Sequence, residues 1–484
     1  MNAAPNLLFL FSDQQRPDTL GCAGQPAVQT PHLDALAARS LCFERAYCAE
    51  PICTPSRAAL LTGLWPHTTG VTVNDRPLPA AARTIAELLP AGRTCAYNGK
   101  WHLGDEIFPQ HGFTHWTSVS DGYRDGYSRP EHLARMSDYH HYLLGEGFRP
   151  QHEFRGAMTF RANQSARLPL PHAKPMFQAR AAARFIREQR GRPFVAYVSF
   201  IEPHRPYYSP LDHLYPPERV PVGPEFRRRP DEDVALVKRL LHEHYLRRGT
   251  LDDQDLTTDA GCRRLRSSYL GMCTLVDRAV GEILAALDDT GQRDRTVVVY
   301  TSDHGDLAGD HGIWGKNVTY EASVRVPLII HVPGAAPRRI AAPVSHIDLV
   351  PTLLEWLGAE APGHLPGVSR AREWTGGPAA DDGDVFFEFE GEDGLPKRGP
   401  DSPFPAAWHD RIRGPWRSVV TRDGWKLNLS PTDRSELFDL NADPTEARNL
   451  LDDPAQAGRV RDLAARIRAW QRRTGDRAEL PRGA

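Results

Sequence analysis

Short apolar runs of β type alternate with helical patterns from the first residues of the chain. That alternation restricts the fold to an α/β domain built on a largely parallel sheet. Residues 7–11 read as the first strand, and residues 94–97, 194–200, 296–300 and 326–332 as later ones. Between them, Thr30 and Pro31 open a helix whose apolar face is Leu33, Leu36 and Ala37. Residues 178–189 and 263–287 have the 3.6-residue period of longer helices, the second ending before Gly291.

A chain of 484 residues, 40% hydrophobic and 25% charged, can bury one large core and carry a smaller unit beside it. The expected division is a catalytic α/β domain over 1–360 and a C-terminal subdomain over 361–484. Two stretches, about 113–175 and 203–259, are rich in His, Tyr, Arg and Pro and read as insertions at the rim of the sheet, where specificity commonly resides. Residues 361–382, rich in Gly and Pro, read as a linker. Beyond it, residues 385–389, 418–421, 425–429 and 436–440 are spaced as an antiparallel sheet, closed by a helix over 456–472.

With a net charge of -2 and a pI of about 6.9, no overall field draws the chain to nucleic acid or anionic lipid, so an anionic substrate must be attracted locally. No apolar run reaches the roughly 20 residues that span a bilayer, and the N-terminus lacks the basic and apolar regions of a secretory signal. A cytoplasmic protein is expected, one that binds neither nucleic acid nor membrane. The seven cysteines are an odd number without a CxxC pair, which disfavours both a disulfide framework and a zinc site.

In an open parallel sheet, ligands sit beyond the carboxyl ends of the strands. Here those ends are polar: Ser12-Asp13-Gln14, Asn98-Gly99-Lys100-Trp101-His102, Glu202-Pro203-His204 and Ser302-Asp303-His304. Asp13, Gln14, Asp303 and His304 together make a mostly oxygen donor set for a hard or borderline divalent cation. Taken singly, each aspartate could equally serve a helix cap or a turn. The segment Cys53-Thr54-Pro55-Ser56-Arg57 precedes a short helical run, with Thr54 as expected N-cap. Cys53 would then occupy the positive end of a helix, with Arg57 one turn in.

Cys53-Thr54-Pro55-Ser56-Arg57 followed by Ala-Ala-Leu-Leu-Thr-Gly resembles the Cys-x-Pro-Ser-Arg signature of type I, formylglycine-dependent sulfatases. The chain is similar to that family also at Ser12-Asp13-Gln14, Gly99-Lys100-Trp101-His102, Pro203-His204-Arg205-Pro206, Ser302-Asp303-His304-Gly305, His311-Gly312 with Lys316, and Glu436-Leu437-Phe438-Asp439-Leu440. The motifs keep the family's order and span nearly the whole chain. The resemblance implies an alkaline-phosphatase-like fold: a large, mostly parallel sheet flanked by helices, with a smaller C-terminal antiparallel-sheet subdomain.

The resemblance further implies hydrolysis of a small-molecule sulfate ester. Cys53, oxidised to formylglycine (3-oxoalanine) by a formylglycine-generating maturase, would attack sulfur as an aldehyde hydrate and later expel sulfate. One divalent metal, calcium first and manganese or magnesium as alternatives, would be held by Asp13, Gln14, Asp303, His304 and position 53. The matching catalytic positions are Arg57, Lys100, His102, His204 and Lys316, with Asn74, Lys100, His204 and Lys316 binding substrate. Only six of the 59 basic residues are lysine, and two of the six, Lys100 and Lys316, fall at these positions. Tyr123, Tyr127, His140, His141, Trp408 and His409 are available to recognise the alcohol.

Many sulfatases carry a second aspartate where this chain has Gln14 and an asparagine where it has His304. The Asp-Gln and Asp-His set also looks like that of phosphonate monoester and phosphodiester hydrolases, which is the alternative activity. Those relatives place hydroxyl side chains where this chain has Lys100 and His102, which favours the sulfatase. A catalytically silent binding homologue is the remaining reading, and every expected catalytic position being filled counts against it. Self-assembly into homo-oligomers is compatible with the sequence.

Overall fold

In a computed structural model, which describes residues 5–25, 27–379, 383–391, 402 and 404–481, the alternation resolves into eight strands of one sheet. They are β1 (Asn6–Ser12), β2 (Leu41–Tyr47), β3 (Thr94–Gly99), β4 (His115–Thr117), β5 (Phe194–Ser199), β6 (Thr296–Ser302), β7 (Arg325–His331) and β8 (Arg338–Ser345). Their order is β8-β2-β7-β6-β1-β5-β3-β4. The expected strand over 326–332 is present as β7, but it alone runs against the other seven.

Strand β1 is buried throughout and sits between β6 and β5, both parallel to it. This explains its continuous apolar run: a central parallel strand is covered on both faces. Phe9 and Phe11 face one apolar cluster, Leu8 and Leu10 the other. The second cluster is closed by α3 (Lys174–Glu188) and α4 (Asp259–Asp289), and the first by α2 (Cys53–Thr62) and α5 (Leu349–Trp356), while α1 (Pro31–Ala37) packs on α4. Strands β2 and β8 were not legible as strands because both sit toward the sheet edge and carry charged residues such as Glu44, Arg45, Arg338 and Arg339.

A separate antiparallel sheet follows, β9 (Val385–Phe389), β10 (Trp416–Val420), β11 (Trp425–Leu429) and β12 (Glu436–Asp439), closed by α6 (Ala457–Thr474). Ion pairs tie it to the catalytic domain: Lys426 Nζ stands 2.9 Å from Glu321, in the short helix that leads into β7, and Lys238 Nζ, in the helix over Leu236–Arg248, stands 2.8 Å from Glu436. The insertions hold more regular structure than their sequence suggests, including helices over Asp138–Gly145 and Leu236–Arg248. The expected linker contains a short helix, Ala371–Trp374, and its residues 380–382 lie outside the described residues.

Candidate active site

The register of the central strands places the two aspartates together. Ser12 of β1 pairs with Ser302 of β6, so Asp13 and Asp303 leave the sheet side by side, and the Asp303 N–H donates to Ser12 O at 3.1 Å. Lys100 emerges from β3 two strands away, where its N–H donates to Ser199 O at 3.1 Å. Gly99 is required at this point. It has φ of 127°, and a Cβ there would lie 1.9 Å from Ser199 O.

Helix α2 supplies the remaining parts, and every residue of it is buried. It begins two residues earlier than expected. Cys53 is its first residue and Ile52 the cap position, so Thr54 is not the N-cap. Instead the Thr54 hydroxyl donates to His102 O at 3.0 Å, and the Thr54 N–H donates to Asn74 Oδ1 at 3.1 Å. Asn74 thus serves the open end of the helix, beside the nucleophile position. Ser56 Oγ donates to Asp303 O, pinning the helix to the end of β6.

Arg57 reaches back from this helix to join four elements. Its guanidinium donates to Asp13 Oδ2 at 2.8 Å, Asp303 Oδ2 at 3.0 Å, Lys100 O at 2.8 Å and Ser199 Oγ at 2.7 Å. Lys100 Nζ donates to the same Asp13 oxygen at 2.7 Å. Burial and the neighbouring Cys53 push the Asp13 carboxyl up, but Lys100, His204 and Arg57 outweigh them and hold it well below the usual carboxylate range. Asp303 is displaced upward by burial and by the charge of Asp13, with His304 and Arg57 pulling the other way. Its Oδ1 accepts two backbone N–H groups, Gln14 and His304, each at 2.9 Å.

The Cys53 sulfur faces this charge cluster. It lies 2.9 Å from Lys316 Nζ, 3.2 Å from His304 Nε2 and 3.7 Å from Asp13 Oδ1. Burial opposes ionisation of the thiol, but Lys100, Lys316 and His304 overcome it and carry its pKa well below the ordinary value. The site is therefore built to stabilise negative charge at position 53. His304 donates its Nδ1–H to Gly305 O at 2.9 Å, which leaves the Nε2 lone pair facing the centre as a metal ligand would need.

Ligand atoms of Asp13, Cys53, Asp303 and His304 all lie within 4.8 Å of one another, the spacing needed to share one ion. Gln14 joins from a strained backbone, with φ of 69°. Its amide nitrogen donates to Asp306 at 2.6 Å, and its Oε1 accepts Lys316 Nζ at 2.7 Å. The donor chemistry fits a divalent cation that accepts mostly oxygen with one imidazole.

Two histidines flank the sulfur. His102, also left-handed at φ of 56°, has Nε2 at 3.3 Å from Asp75 Oδ1, a buried Nδ1 with no hydrogen-bond partner, and its ring 4.2 Å from that of Tyr123. Tyr123 also lies under Lys100, 4.5 Å from Nζ to the ring. His204 directs Nδ1 to Arg205 O at 2.7 Å. Burial and Lys316 lower its pKa, while Asp13 and Cys53 act in the opposite sense.

The structure thus brings Asp13, Gln14, Cys53, Arg57, Lys100, His204, Asp303, His304 and Lys316 to one centre, with His102 and Asn74 at its edge. Among the residues expected to recognise the alcohol, His409 is buried against Ser402 at 2.8 Å, and Trp408 is 38% exposed. Sequence reasoning missed Asp75, Ser199 and Asp306. Asp306 follows the Ser302-Asp303-His304-Gly305 motif directly and could have been found; Asp75 and Ser199 carry no local signal, since only the fold places them here.

The family profile described as Sulfatase matches residues 5–359. The multifunctional alkaline phosphatase superfamily protein PehA of Trinickia caryophylli is 29% identical over 98% of this chain and 96% of its own length. The choline-sulfatase of Rhizobium meliloti is 29% identical over 93% of this chain and 83% of its own. Among solved structures, the phosphonate monoester hydrolase SpPMH from Silicibacter pomeroyi superposes with a TM-score of 0.77 at 26% identity, covering 97% of this chain and 96% of that one. With the profile spanning most of the chain and relatives aligned along nearly all of it, the chain belongs to the sulfatase family of sulfuric ester hydrolases.

Proposed function

We propose that this protein hydrolyses a small sulfate ester with formylglycine, derived from Cys53, as nucleophile and one divalent metal ion as cofactor. The observation that carries the reading is the setting of Cys53: a buried side chain at the first residue of α2, 2.9 Å from Lys316 Nζ, 3.2 Å from His304 Nε2 and facing Asp13. Its Sγ stands where an oxygen of the hydrated aldehyde would lie. A formylglycine hydrate supplies two hydroxyls on one carbon, one to attack and one to release the product.

Asp13, Gln14, Asp303 and His304 would hold the metal, calcium by the oxygen majority, with manganese or magnesium also suited to one imidazole among oxygens. When bound, the ion supplies the positive charge that acidifies the nucleophile and neutralises the sulfate oxygens. Arg57 and Lys100 keep Asp13 charged and fix it in place. Lys316 and His204 meet the sulfate group, with Asn74 at the mouth of α2. His204 enters the cycle with a depressed pKa, and the arriving anion raises its basicity, so it can carry the proton that the departing alcohol needs. His102 is held at Nε2 by Asp75, which leaves Nδ1 as the base for product release.

All of Cys53–Thr62 is buried, so the maturase must meet this segment before the domain closes. Seven free cysteines fit a reducing, cytoplasmic setting. Among the described residues, no helix is long and apolar enough to cross a membrane.

A second reading, phosphonate monoester or phosphodiester hydrolysis with the same nucleophile, is favoured by Gln14 and His304 and by the likeness to the Silicibacter pomeroyi hydrolase. Lys100 on Asp13 and the imidazole of His102 favour the sulfate ester. Rates on matched aryl sulfate, aryl phosphodiester and aryl phosphonate substrates decide between them. Mass spectrometry of the Cys53 peptide, after co-production with a maturase, decides against both if the thiol persists.

A further inference from the structure

Beside the catalytic centre, the insertion between β4 and α3 encloses a cavity of about 180 Å³ lined by Ser120, Asp121, His140, Phe154, Phe160 and Lys174. Its wall continues into the centre. Gly122 lines it, and the next residue, Tyr123, packs on Lys100 and His102. Lys174 opens α3, and one turn later Gln178 donates to Ser199 O at 2.8 Å, which sets the start of this helix beside the carboxyl end of β5, one of the strands that carry the active site.

Lys174 is placed unfavourably for a structural residue. Its side chain is only 9% exposed and lies at the positive end of a 15-residue helix, where a cation is repelled. Among the described residues no hydrogen bond or ion pair holds its ammonium, and its one close aromatic neighbour is the Tyr139 ring at 5.4 Å. Burial pushes its pKa down, offset in part by Glu202 and Asp121 and reinforced by Lys100. Neither carboxylate pairs with it. Asp121 accepts the Ser137 N–H at 2.8 Å and stands 3.4 Å from His140 Nδ1, while Glu202 Oε2 is buried without a partner. His140 Nδ1 lacks a hydrogen bond as well. A buried cation left unpaired by its own chain costs stability that a ligand anion would recover.

We propose that this cavity receives the alcohol portion of the substrate and selects alcohols bearing an anionic substituent, a carboxylate or a second sulfate, which Lys174 pairs and the Phe154 and Phe160 rings flank. The proposal rests on the sulfate ester reading above and names its substrate class. Lys174 is a specificity-determining residue in this scheme.

The test compares kcat/KM on a carboxyphenyl sulfate, its methyl ester and a benzene disulfate. A charge-assisted contact predicts that the acid, the disulfate or both exceed the ester by about tenfold or more, chiefly through KM. Whichever anion is preferred identifies the substituent. Lys174→Met should collapse that ratio toward one, and Lys174→Arg should restore part of it. A wild-type enzyme that treats all three alike, or a ratio unchanged in Lys174→Met, overturns the proposal. In parallel, calorimetry with hydroxybenzoate and its methyl ester reads the cavity without turnover. Preferential binding of the acid supports the cavity assignment even if every sulfate is inert, a result that would instead overturn the sulfate ester reading. Equal or absent binding of both overturns the cavity assignment.

Discussion

Arg57 Nε donates to Asp303 Oδ2 at 3.0 Å with neither side chain exposed to solvent. The same guanidinium pairs with Asp13, so one cation bridges two buried carboxylates, with Lys100 as a second cation on Asp13 only. Arg57→Ala removes the cation and leaves both acids. Breaking a buried pair in this way costs about 3–5 kcal/mol. Chemical denaturation of metal-free protein should show that loss, and a saturating divalent cation should recover more stability in the variant than in the wild type.

Asp303→Asn and Asp13→Asn are each expected to abolish turnover and stoichiometric metal uptake, measured by elemental analysis after dialysis. Their structural costs differ. Asp13 faces both Lys100 and Arg57, so its loss strands the buried Lys100 and leaves Arg57 only Asp303, whereas Asp303→Asn leaves Arg57 and Lys100 both paired with Asp13. Asp13→Asn should therefore melt lower than Asp303→Asn. Full metal occupancy with normal rates in either variant rules out the ligand assignment.

His204→Ala should slow alkyl sulfates far more than nitrophenyl sulfate. A general acid contributes roughly 10²- to 10⁴-fold, and a leaving group already stable as an anion needs little of it. Equal losses on both substrates would assign His204 to binding alone.

Cys53→Ser, made with a maturase that oxidises only cysteine, should bind metal and substrate yet scarcely turn over. A serine hydroxyl can attack once, but without a second hydroxyl on its carbon there is no elimination route back to free enzyme. Intact mass after incubation should show a persistent adduct of the serine or no reaction. Sustained steady-state activity with an unmodified serine would remove formylglycine from the mechanism.

His346 sets an acid limit on stability. Burial alone pushes its pKa down to about 3, against an ordinary value of 6.5, and its Nε2 stands 3.1 Å from Thr301 Oγ1 on β6. Because the folded pKa lies below the unfolded one, the contribution is fully present above pH 6.5 and is lost progressively as pH falls toward 3. Between neutrality and pH 5 the wild type should lose about 2 kcal/mol more than His346→Gln. Urea titrations at both pH values measure the difference, and parallel losses would reject it.

The alternation of strand and helix patterns, the polar ends of β1, β3, β5 and β6, and the Cys53–Arg57 segment were all legible in the sequence. They are local properties: a buried parallel strand must be apolar along its length, and a motif of five residues needs no partner to be recognised. From them came the α/β class, the resemblance to sulfatases and the candidate residues. Other features depended on what each residue meets across the fold. Strands β2 and β8 could not be read because their charges answer to positions at and next to the sheet edge, and α2 takes Ile52 rather than Thr54 as its cap position, the Thr54 hydroxyl donating to His102 O instead. The register that sets Ser12 against Ser302 decides that Asp13 and Asp303 converge, 290 residues apart in the chain, and only that convergence gives Arg57 two acids to bridge. The unpaired Lys174 was likewise invisible: a lysine in a sequence carries no mark of whether a carboxylate lies within reach, since that is settled by tertiary packing.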